Sequence, residues 1–435
     1  MTAAPRALQS IQGWSARRRI GLPAAIVGAV LVAEAAVWLL RPELSIKPAS
    51  VPESRYFTTS ELDRARDFAS GQRLLALGSL AVQGAVLVAA VVRPPRHAVR
   101  LAERAAGGVE VAAGALVGAG LVAAVELAPL PLNAIARQRA LDVGLATQSW
   151  EGWAVDFAKT LGIGVVLGAA GAAIFLGLMR RFPRRWWVGG AAAVLAIEVL
   201  LVWLGPVVIA PLFNRYSKLP PGQARSDVLQ LARKAHIDVG DVFEVDASRR
   251  TTGANAFVTG LGPTKRVVLY DTLVERFPRA QQRIVVAHEF GHVKHRDVPR
   301  GMLWVALVAP AGMYVVMLLT KRWSARAGTA PGKAGSLPSF ALALALVVFS
   351  GNVISNQLSR RIEANADGFA LKLTHAPRQF IAMQRRLALV NLTDPDPPGV
   401  LRWFFGTHPS TMERIGAAES FERERPATQH PENRQ

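Results

Sequence analysis

The chain has 435 residues, of which 51% are hydrophobic, and a formal net charge of +20. It contains no cysteine, which excludes disulfides, cysteine-ligated metals and a thiol nucleophile. Any bound metal must therefore be held by histidine, aspartate or glutamate. The basic residues flank apolar blocks, as in "WSARRRI" and "LMRRFPRRWW", a pattern typical of membrane anchoring rather than of nucleic-acid binding. We therefore expect a lipid bilayer, and no nucleic acid, among the partners.

Seven apolar stretches are long enough to cross a bilayer, which takes about 20 residues of α-helix. The first follows a basic segment but is not followed by a clear cleavage site, so we interpret it as a retained anchor rather than a signal peptide. The chain is therefore expected to be a mainly α integral membrane protein. The predicted spans are about 20–40, 74–92, 108–130, 160–179, 186–210, 302–320 and 339–358.

Three carboxylates, Glu34, Glu126 and Glu198, fall inside these spans. A charge in the bilayer is costly and usually faces a protein interior or water. One interpretation is a polar chamber between the helices. The alternative, equally open from the sequence, is that each glutamate is a hydrogen-bonded structural residue.

A polar insert separates spans five and six. Within it "GQARSDVLQLARKAHI" has helical spacing, "DVFEVDAS" is typical of a strand, and "ANAFVTGLGPTKRVVLYDTL" indicates two strands joined by turn residues Gly260 to Pro263. A further helix should begin near residue 278. The expected organisation is five transmembrane helices with loops over 1–210, a soluble zinc domain over 211–300, helices six and seven over 301–358, the rest of the catalytic domain over 359–419, and a disordered tail over 420–435.

The helix after residue 278 contains "HEFGH". Residues i and i+4 share one helix face, about 6 Å apart along the axis, so His288 and His292 can direct two imidazoles at one ion. Glu289 lies close enough to reach a water molecule beside that ion, as in zinc hydrolases. The alternative is an ordinary amphipathic helix with surface histidines.

A catalytic zinc site needs a third protein ligand. His295 lies about 10 Å along the same helix from His288, so it is disfavoured. The better candidate is Glu363 in "SRRIEANADGFALKL", where Asp367 shares its helix face and could hydrogen-bond a ligand imidazole. The alternative is a surface helix on which these acids pair with the preceding arginines of the "SRR" sequence.

Two further segments are candidates for substrate contacts. "ANAF" lies on a possible edge strand, where Asn255 and Ala256 could align an added peptide strand. "GTHPSTMERI" carries His408 and Arg414, either of which could stabilise an oxyanion near the metal. The alternatives are an ordinary strand and a capped surface helix.

Together these segments resemble the type 1 CAAX prenyl endopeptidase family of seven-helix membrane zinc metalloproteases. The family pattern has an Asn-Ala strand, a "KR" strand ending in "DTL", HExxH, an "SRRxExxAD" element and a late "HPxxxERI" element. This chain has "ANAF", "KRVVLYDTL", "HEFGH", "SRRIEANAD" and "HPSTMERI" in the same order. The resemblance covers nearly the whole chain, and arginine in excess of lysine indicates a bacterial member.

The resemblance implies one zinc ion per chain, held by His288, His292 and Glu363. It also implies that Glu289 is the general base and that Asp367 is an acid described in the family as a proton donor. The implied fold is seven helices enclosing a chamber, capped by a small α+β, gluzincin-like zinc domain.

The late element of the family places His408 and Arg414 near the scissile carbonyl, and its Asn-Ala strand makes Asn255 and Ala256 substrate-binding residues. The implied partner is a peptide or protein, which can be membrane-associated or lipidated. Bacteria generally lack prenylated CAAX proteins, so a quality-control or regulatory protease is the nearest alternative. A membrane sensor with a zinc domain is a rival from another class, but the chain has no room for an appended ligand-binding domain.

The membrane orientation is open from the sequence. Loops on the N-terminal side carry more lysine and arginine, and the positive-inside rule would then put the zinc domain outside the cytoplasm. The resemblance implies a cytoplasmic catalytic face, which we favour. Neither pattern predicts an oligomeric state.

Overall fold

The computed structural model describes residues 21–260 and 265–424. The basic segment before the first span, most of the expected turn after Gly260 and the residues from 425 onwards lie outside this part of the chain. The last helix continues to Glu424, so the expected tail boundary at residue 420 is too early.

Within the described residues the chain forms fifteen α-helices and four β-strands. The helices are α1 (Leu22–Leu40), α2 (Thr59–Val92), α3 (Arg96–Ala105), α4 (Glu110–Leu127), α5 (Leu130–Asp142), α6 (Trp150–Arg181), α7 (Trp186–Leu204), α8 (Gln223–Ala235), α9 (Asp271–Arg276), α10 (Arg279–Lys294), α11 (Asp297–Arg326), α12 (Leu337–Thr374), α13 (Pro377–Val390), α14 (Gly399–Phe405) and α15 (Thr411–Glu424). The strands are β1 (Tyr216–Lys218), β2 (Asp241–Val245), β3 (Ala256–Thr259) and β4 (Arg266–Tyr270).

Seven helices of the described chain are long and apolar enough to span a bilayer, which confirms the predicted number. They are α1, α2, α4, α6, α7 with the turns that follow it, α11 and α12. Large apolar side chains on them face outwards, such as Leu31, Trp38 and Leu39 on α1. Because lipid tails are as apolar as these side chains, their exposure is what a membrane protein requires.

Two spans are much longer than their apolar stretches predict. The helix α2 begins at Thr59 rather than near residue 74, and α12 continues to Thr374 rather than ending near 358. Thr58 caps α2 by accepting from the Glu61 amide, while Glu61 bonds back to the Thr58 amide. Polar residues thus continue the same helices beyond the apolar stretch, which hydrophobicity alone does not reveal.

The four strands form one sheet in the order β1-β2-β4-β3. Strands β2 and β4 are parallel, and the two outer pairings are antiparallel. The expected second strand of the "ANAF…DTL" segment ends at Tyr270, and "DTL" begins α9 instead. The Asp271 carboxylate accepts from the Thr272 amide at 2.7 Å and the Ser248 amide at 2.9 Å, which stabilises this helix start.

The helices α10 and α12 pass very close to each other in the catalytic core. A Cβ atom added to Gly291 would lie 2.9 Å from the Ala366 Cα atom, so only glycine permits this approach. The apolar face of α10 packs into the core through Ile284, Val286 and Phe290. This packing brings the end of the seventh span alongside the "HEFGH" helix.

The junction between α10 and the sixth span is short. The helix α10 ends at Lys294, and Arg296 adopts a left-handed backbone conformation with φ of 55°. The next residue, Asp297, begins α11. The "HEFGH" helix and a membrane helix are therefore separated by only a sharp turn.

The glutamates inside the spans differ in their surroundings. Glu34 accepts a hydrogen bond of 3.0 Å from the Gln357 side chain, which joins α1 to α12. One carboxylate oxygen of Glu198 is buried without a partner among the described residues. A polar chamber between the helices stays a prediction.

Candidate active site

The two histidines of "HEFGH" meet on one face of α10. Their Nε2 atoms lie 3.2 Å apart, and the ring planes are nearly perpendicular, at 87°. This is the convergence expected from the i, i+4 spacing. Both Nε2 atoms point to the same small volume.

The other nitrogen of each ring contacts an aspartate. His288 Nδ1 lies 2.8 Å from Asp367 Oδ1, and His292 Nδ1 lies 3.0 Å from Asp297 Oδ2. When each Nδ1–H donates to its carboxylate, Nε2 carries the free lone pair. The aspartates thus favour the tautomer that a metal ion needs.

Glu363 supplies a third ligand atom to the same volume. Its Oε2 atom lies 3.1 Å from His288 Nε2, and its Oε1 atom lies 3.7 Å from His292 Nε2. Ligands about 2.0–2.1 Å from a tetrahedral zinc ion would be about 3.3 Å apart, which matches these separations. The Oε2 atom is buried without a hydrogen-bond partner, so a cation would satisfy it. These residues fit a divalent metal ion of the zinc type.

The site attracts positive charge. Burial opposes protonation of His288, but the neighbouring carboxylates of Asp367 and Glu363 outweigh it and raise the pKa of His288 to about 10. The same carboxylates would favour a metal cation in this position.

Glu289 lies beside the histidines on the inner side of α10. Its carboxylate lies within 4.8 Å of the imidazole nitrogens of His288 and His292. Glu363 is in direct contact with both rings, so Glu363 is the better candidate for the third metal ligand. Glu289 is then available for a different role. Burial raises the pKa of Glu289, which makes it a better proton acceptor than an exposed glutamate.

Arg414 of the late "HPSTMERI" element binds Asp367 through two hydrogen bonds. Arg414 Nη2 donates to Asp367 Oδ1 at 2.6 Å, and Nε donates to Oδ2 at 2.8 Å. With its amide oriented so that Oε1 faces the guanidinium, the buried Gln384 accepts from both nitrogens at 3.0 Å. Arg414 is thus directed at the aspartate behind His288.

A second aspartate–arginine pair lies behind His292. Arg300 Nη1 donates to Asp297 Oδ1 at 2.5 Å, and the other Asp297 oxygen contacts the imidazole. Asp297, Arg300 and Gln384 are not among the site residues predicted from the sequence. The first two stand shortly after "HEFGH" in "HRDVPR", whereas Gln384 lies in an ordinary amphipathic helix with no sequence signal.

His408 lies at the open side of the site. Its Nε2 atom is 3.3 Å from Glu363 Oε1, and its side chain is 55% exposed. The Nδ1 atom bonds with the Thr407 hydroxyl at 2.8 Å. A half-exposed ring beside a ligand carboxylate can reach a group that enters from solvent.

His295 does not join the cluster. Its ring packs edge-on against Phe369, with centroids 5.6 Å apart, and its Nδ1 atom is buried without a hydrogen bond to any described residue. The alternative in which Glu363 and Asp367 pair with the arginines of "SRR" is wrong, because Arg360 donates to backbone carbonyls of the α14 segment.

The strand β3 is an edge of the sheet, as expected for "ANAF". The Tyr270 amide donates to the Asn255 carbonyl at 3.0 Å, so the backbone groups of Ala256 and Val258 point away from β4. The Asn255 side chain accepts from the Ala256 amide at 2.9 Å. Within the described sheet, the Ala256 carbonyl and the Val258 amide and carbonyl therefore have no partner strand. These groups can form hydrogen bonds with an added strand.

Comparisons with known proteins agree with this geometry. The sequence matches the model of peptidase family M48 over residues 219–422. It also matches a model described as CAAX prenyl protease N-terminal, five membrane helices, over residues 141–215. A metalloprotease of Bacillus subtilis, YhfN, described as uncharacterized, is 32% identical over 68% of this chain and 71% of its own length. The chain belongs to peptidase family M48.

Within M48, the chain is a member of the CAAX protease family, as its motifs suggested. A CAAX prenyl protease 1 homolog of Arabidopsis thaliana is 27% identical over 61% of this chain and 63% of that relative. The crystal structure of S. mikatae Ste24p superposes with a TM-score of 0.72 at 19% identity, covering 92% of this chain and 98% of that chain. The protein is therefore a multi-pass membrane metallopeptidase with a Ste24p-like fold, and its family implies a metal cofactor.

Proposed function

We propose that this M48 member is a zinc-dependent endopeptidase that hydrolyses peptide bonds beside the membrane. The observation that carries the proposal is the convergence of His288 Nε2, His292 Nε2 and Glu363 on one volume, with separations of 3.1, 3.2 and 3.7 Å. One zinc ion per chain would bind there. Bound zinc lowers the pKa of a water molecule towards about 7 and polarises a carbonyl oxygen.

Glu289 acts as the general base in this proposal. Its buried carboxylate can accept the proton of the attacking water and then pass it to the leaving amine. The raised pKa of Glu289 suits both steps. His408 is assigned to donate a hydrogen bond to the oxyanion, because it is half exposed and close to Glu363.

Asp367 and Arg414 are assigned as positioning residues. Asp367 accepts from His288 and is bound by Arg414 through both of its oxygens. A carboxylate so paired is a poor proton donor, so we propose that it orients the imidazole instead of the donor role implied by the family resemblance. Two of the three Arg414 nitrogens, Nε and Nη2, donate to Asp367, so we assign Arg414 to hold this aspartate rather than to meet an oxyanion.

The substrate is proposed to bind as an added strand on β3. The outward-facing carbonyl of Ala256 and the amide and carbonyl of Val258 supply the backbone hydrogen bonds. The Asn255 side chain supports this strand by capping the Ala256 amide. We propose that the segments 211–300 and 359–419 form one catalytic domain. Transmembrane spans six and seven lie between these two segments in the sequence.

Metal content and turnover of purified variants test the function. Wild-type protein should hold about one zinc per chain. Glu289→Gln should keep the zinc but hydrolyse a fluorogenic peptide at least about a hundredfold more slowly, because it removes the proton acceptor without changing size. Glu363→Ala should lose the metal, whereas His295→Ala should keep it. Full turnover in metal-loaded Glu289→Gln would refute the mechanism.

A further inference from the structure

One end of the helix bundle carries a dense group of exposed arginines, far from the catalytic site. On α12, Leu337 marks this end, and Glu363 lies 26 residues further on, about 40 Å along a helix. The starts of α4, α7 and α12 meet here with the ends of α2, α6 and α11. All of these are ends of membrane spans, so this end lies at a bilayer surface.

The short helix α3 contributes half of the group. Arg96, Arg100 and Arg104 follow each other at i, i+4 and i+8, so they form one exposed stripe. Beside and behind this stripe, Val99 is buried in the apolar cluster between the membrane helices, and Ala102 packs against that cluster. The helix is thus held by its apolar side and presents its arginines outwards.

The link between spans four and five contributes the other half. Arg181, Arg184 and Arg185 are all exposed there. The two halves are joined by the segment before α12, where a Cβ on Gly332 would contact Arg180 and one on Gly335 would contact Val99. We call Arg96, Arg100, Arg104, Arg181, Arg184 and Arg185 the arginine face.

Within the described part of the chain, none of these six arginines forms an ion pair with a carboxylate. The nearby Glu110 is already engaged by Lys333 at 2.7 Å and by the Ala334 amide. Six guanidinium groups without a carboxylate partner among the described residues therefore lie together at a bilayer surface.

We propose that the arginine face is a binding site for the headgroups of anionic phospholipids. A guanidinium group matches a phosphate with two parallel hydrogen bonds, and it is weakly hydrated compared with an ammonium group. Lipid phosphates lie at the level of the span ends, and α3 connects the end of α2 to the start of α4. Clusters of four to eight basic residues beside membrane helices have this specificity for anionic lipids.

Lipid titrations of the delipidated full-length protein in non-ionic detergent test the proposal. The probes are phosphatidylglycerol and phosphatidylcholine with identical acyl chains, and bound lipids are counted by native mass spectrometry. Wild-type protein should bind phosphatidylglycerol in preference, and salt should weaken this binding. If each arginine contributes about fivefold to the affinity, the triple variant Arg96→Gln, Arg100→Gln, Arg104→Gln should bind phosphatidylglycerol about a hundredfold more weakly.

A second triple variant, Arg181, Arg184 and Arg185 to Gln, should show the same selective loss, so the result does not depend on the folding of one variant. The matched control replaces three exposed arginines of the catalytic part, Arg233, Arg276 and Arg423, with Gln and should leave lipid binding unchanged.

Three results would overturn the proposal. The first is equal binding of the two lipids by wild-type protein. The second is equal loss of binding in the control and in the two face variants. The third is displacement of phosphatidylglycerol by a short single-stranded oligonucleotide that binds more tightly, which would assign the face to nucleic acid.

Discussion

Each imidazole of the proposed metal site contacts an aspartate that is itself paired with an arginine. Asp367 and Arg414 come from the C-terminal part of the chain, whereas Asp297 and Arg300 follow "HEFGH" directly. Such carboxylates fix the orientation and tautomer of the ring and raise its basicity. The two pairs give the site a similar support on both sides, although they come from different elements.

Replacing Asp297 tests this support at the level of one residue. Asp297→Asn keeps the shape but removes the charge that orients His292, so metal affinity should fall by about 10- to 100-fold. The measurement is zinc retained after dialysis against a graded series of chelator concentrations. Asp396→Asn, which alters an exposed aspartate–arginine pair, is the control and should retain zinc like the wild type. Equal retention in Asp297→Asn would remove Asp297 from the metal site.

The sequence could identify those residues whose spacing along a helix places their side chains on the same face. His288 and His292 are one helical turn apart, as are Glu363 and Asp367, so each pair must share a face. Gln384 reaches Arg414 only because α13 packs on α15. No local spacing records such a contact, and it could not be predicted without the fold.

Among the secondary-structure elements, β1, α8 and β2 are joined by one carboxylate. Asp241 accepts from Arg225 of α8 at 2.8 Å and pairs with Lys218 of β1 at 2.9 Å. Hydrogen bonds from Arg225 and then Lys218 hold the pKa of Asp241 well below its usual range. The ionised carboxylate therefore favours the folded state.

This pairing makes the contribution of Asp241 depend on pH. A lowered folded-state pKa stabilises the protein above the unfolded value near 4, and this stabilisation is lost as the pH falls below it. Asp241→Asn should lower the free energy of unfolding by about 1 kcal/mol at pH 7. The loss is small because the ion pairs of Asp241 are partly exposed to solvent. Thermal unfolding in detergent should show a constant difference between wild type and variant from pH 7 down to about pH 5, and a narrowing difference as the pH falls from there to 3. A difference that stays constant over the whole range would contradict the ion-pair account.

Element ends were the least predictable part of the fold. The seven apolar stretches give the number of spans because each must satisfy its backbone hydrogen bonds inside lipid. They cannot show that α2 and α12 continue through polar residues such as Glu61 and Glu363. Those continuations depend on caps and on tertiary contacts with the catalytic part.

At the scale of the whole molecule, α2 connects the bilayer to the active site. Its 34 residues extend about 50 Å, well beyond the roughly 30 Å of the hydrocarbon core. Beyond the bilayer, Arg73 contacts the buried Asp394 at 3.1 Å, and Arg66 approaches the same carboxylate at 3.7 Å. Asp394 precedes the segment that carries His408, so a membrane helix anchors that segment.

Breaking this anchor should affect catalysis and not the metal. In Asp394→Asn the segment with His408 loses its charged contacts to α2, and turnover should fall by roughly tenfold to a hundredfold. Zinc content should stay near that of wild type, since no ligand is touched. The control is Arg378→Gln, which breaks an exposed ion pair with Glu422 and should leave turnover almost unchanged. Wild-type turnover in Asp394→Asn would show that the α2 contact does not position His408.

The continuity of α12 through the bilayer and into the metal site has a further consequence. One helix holds both the seventh span and Glu363, and the turn at Arg296 joins the "HEFGH" helix to the sixth span. Proteolytic shedding therefore cannot release an active soluble fragment. A soluble fragment released by a cut at the start of α11 would carry His288 and His292 but lack Glu363, so by the proposed mechanism it would be inactive.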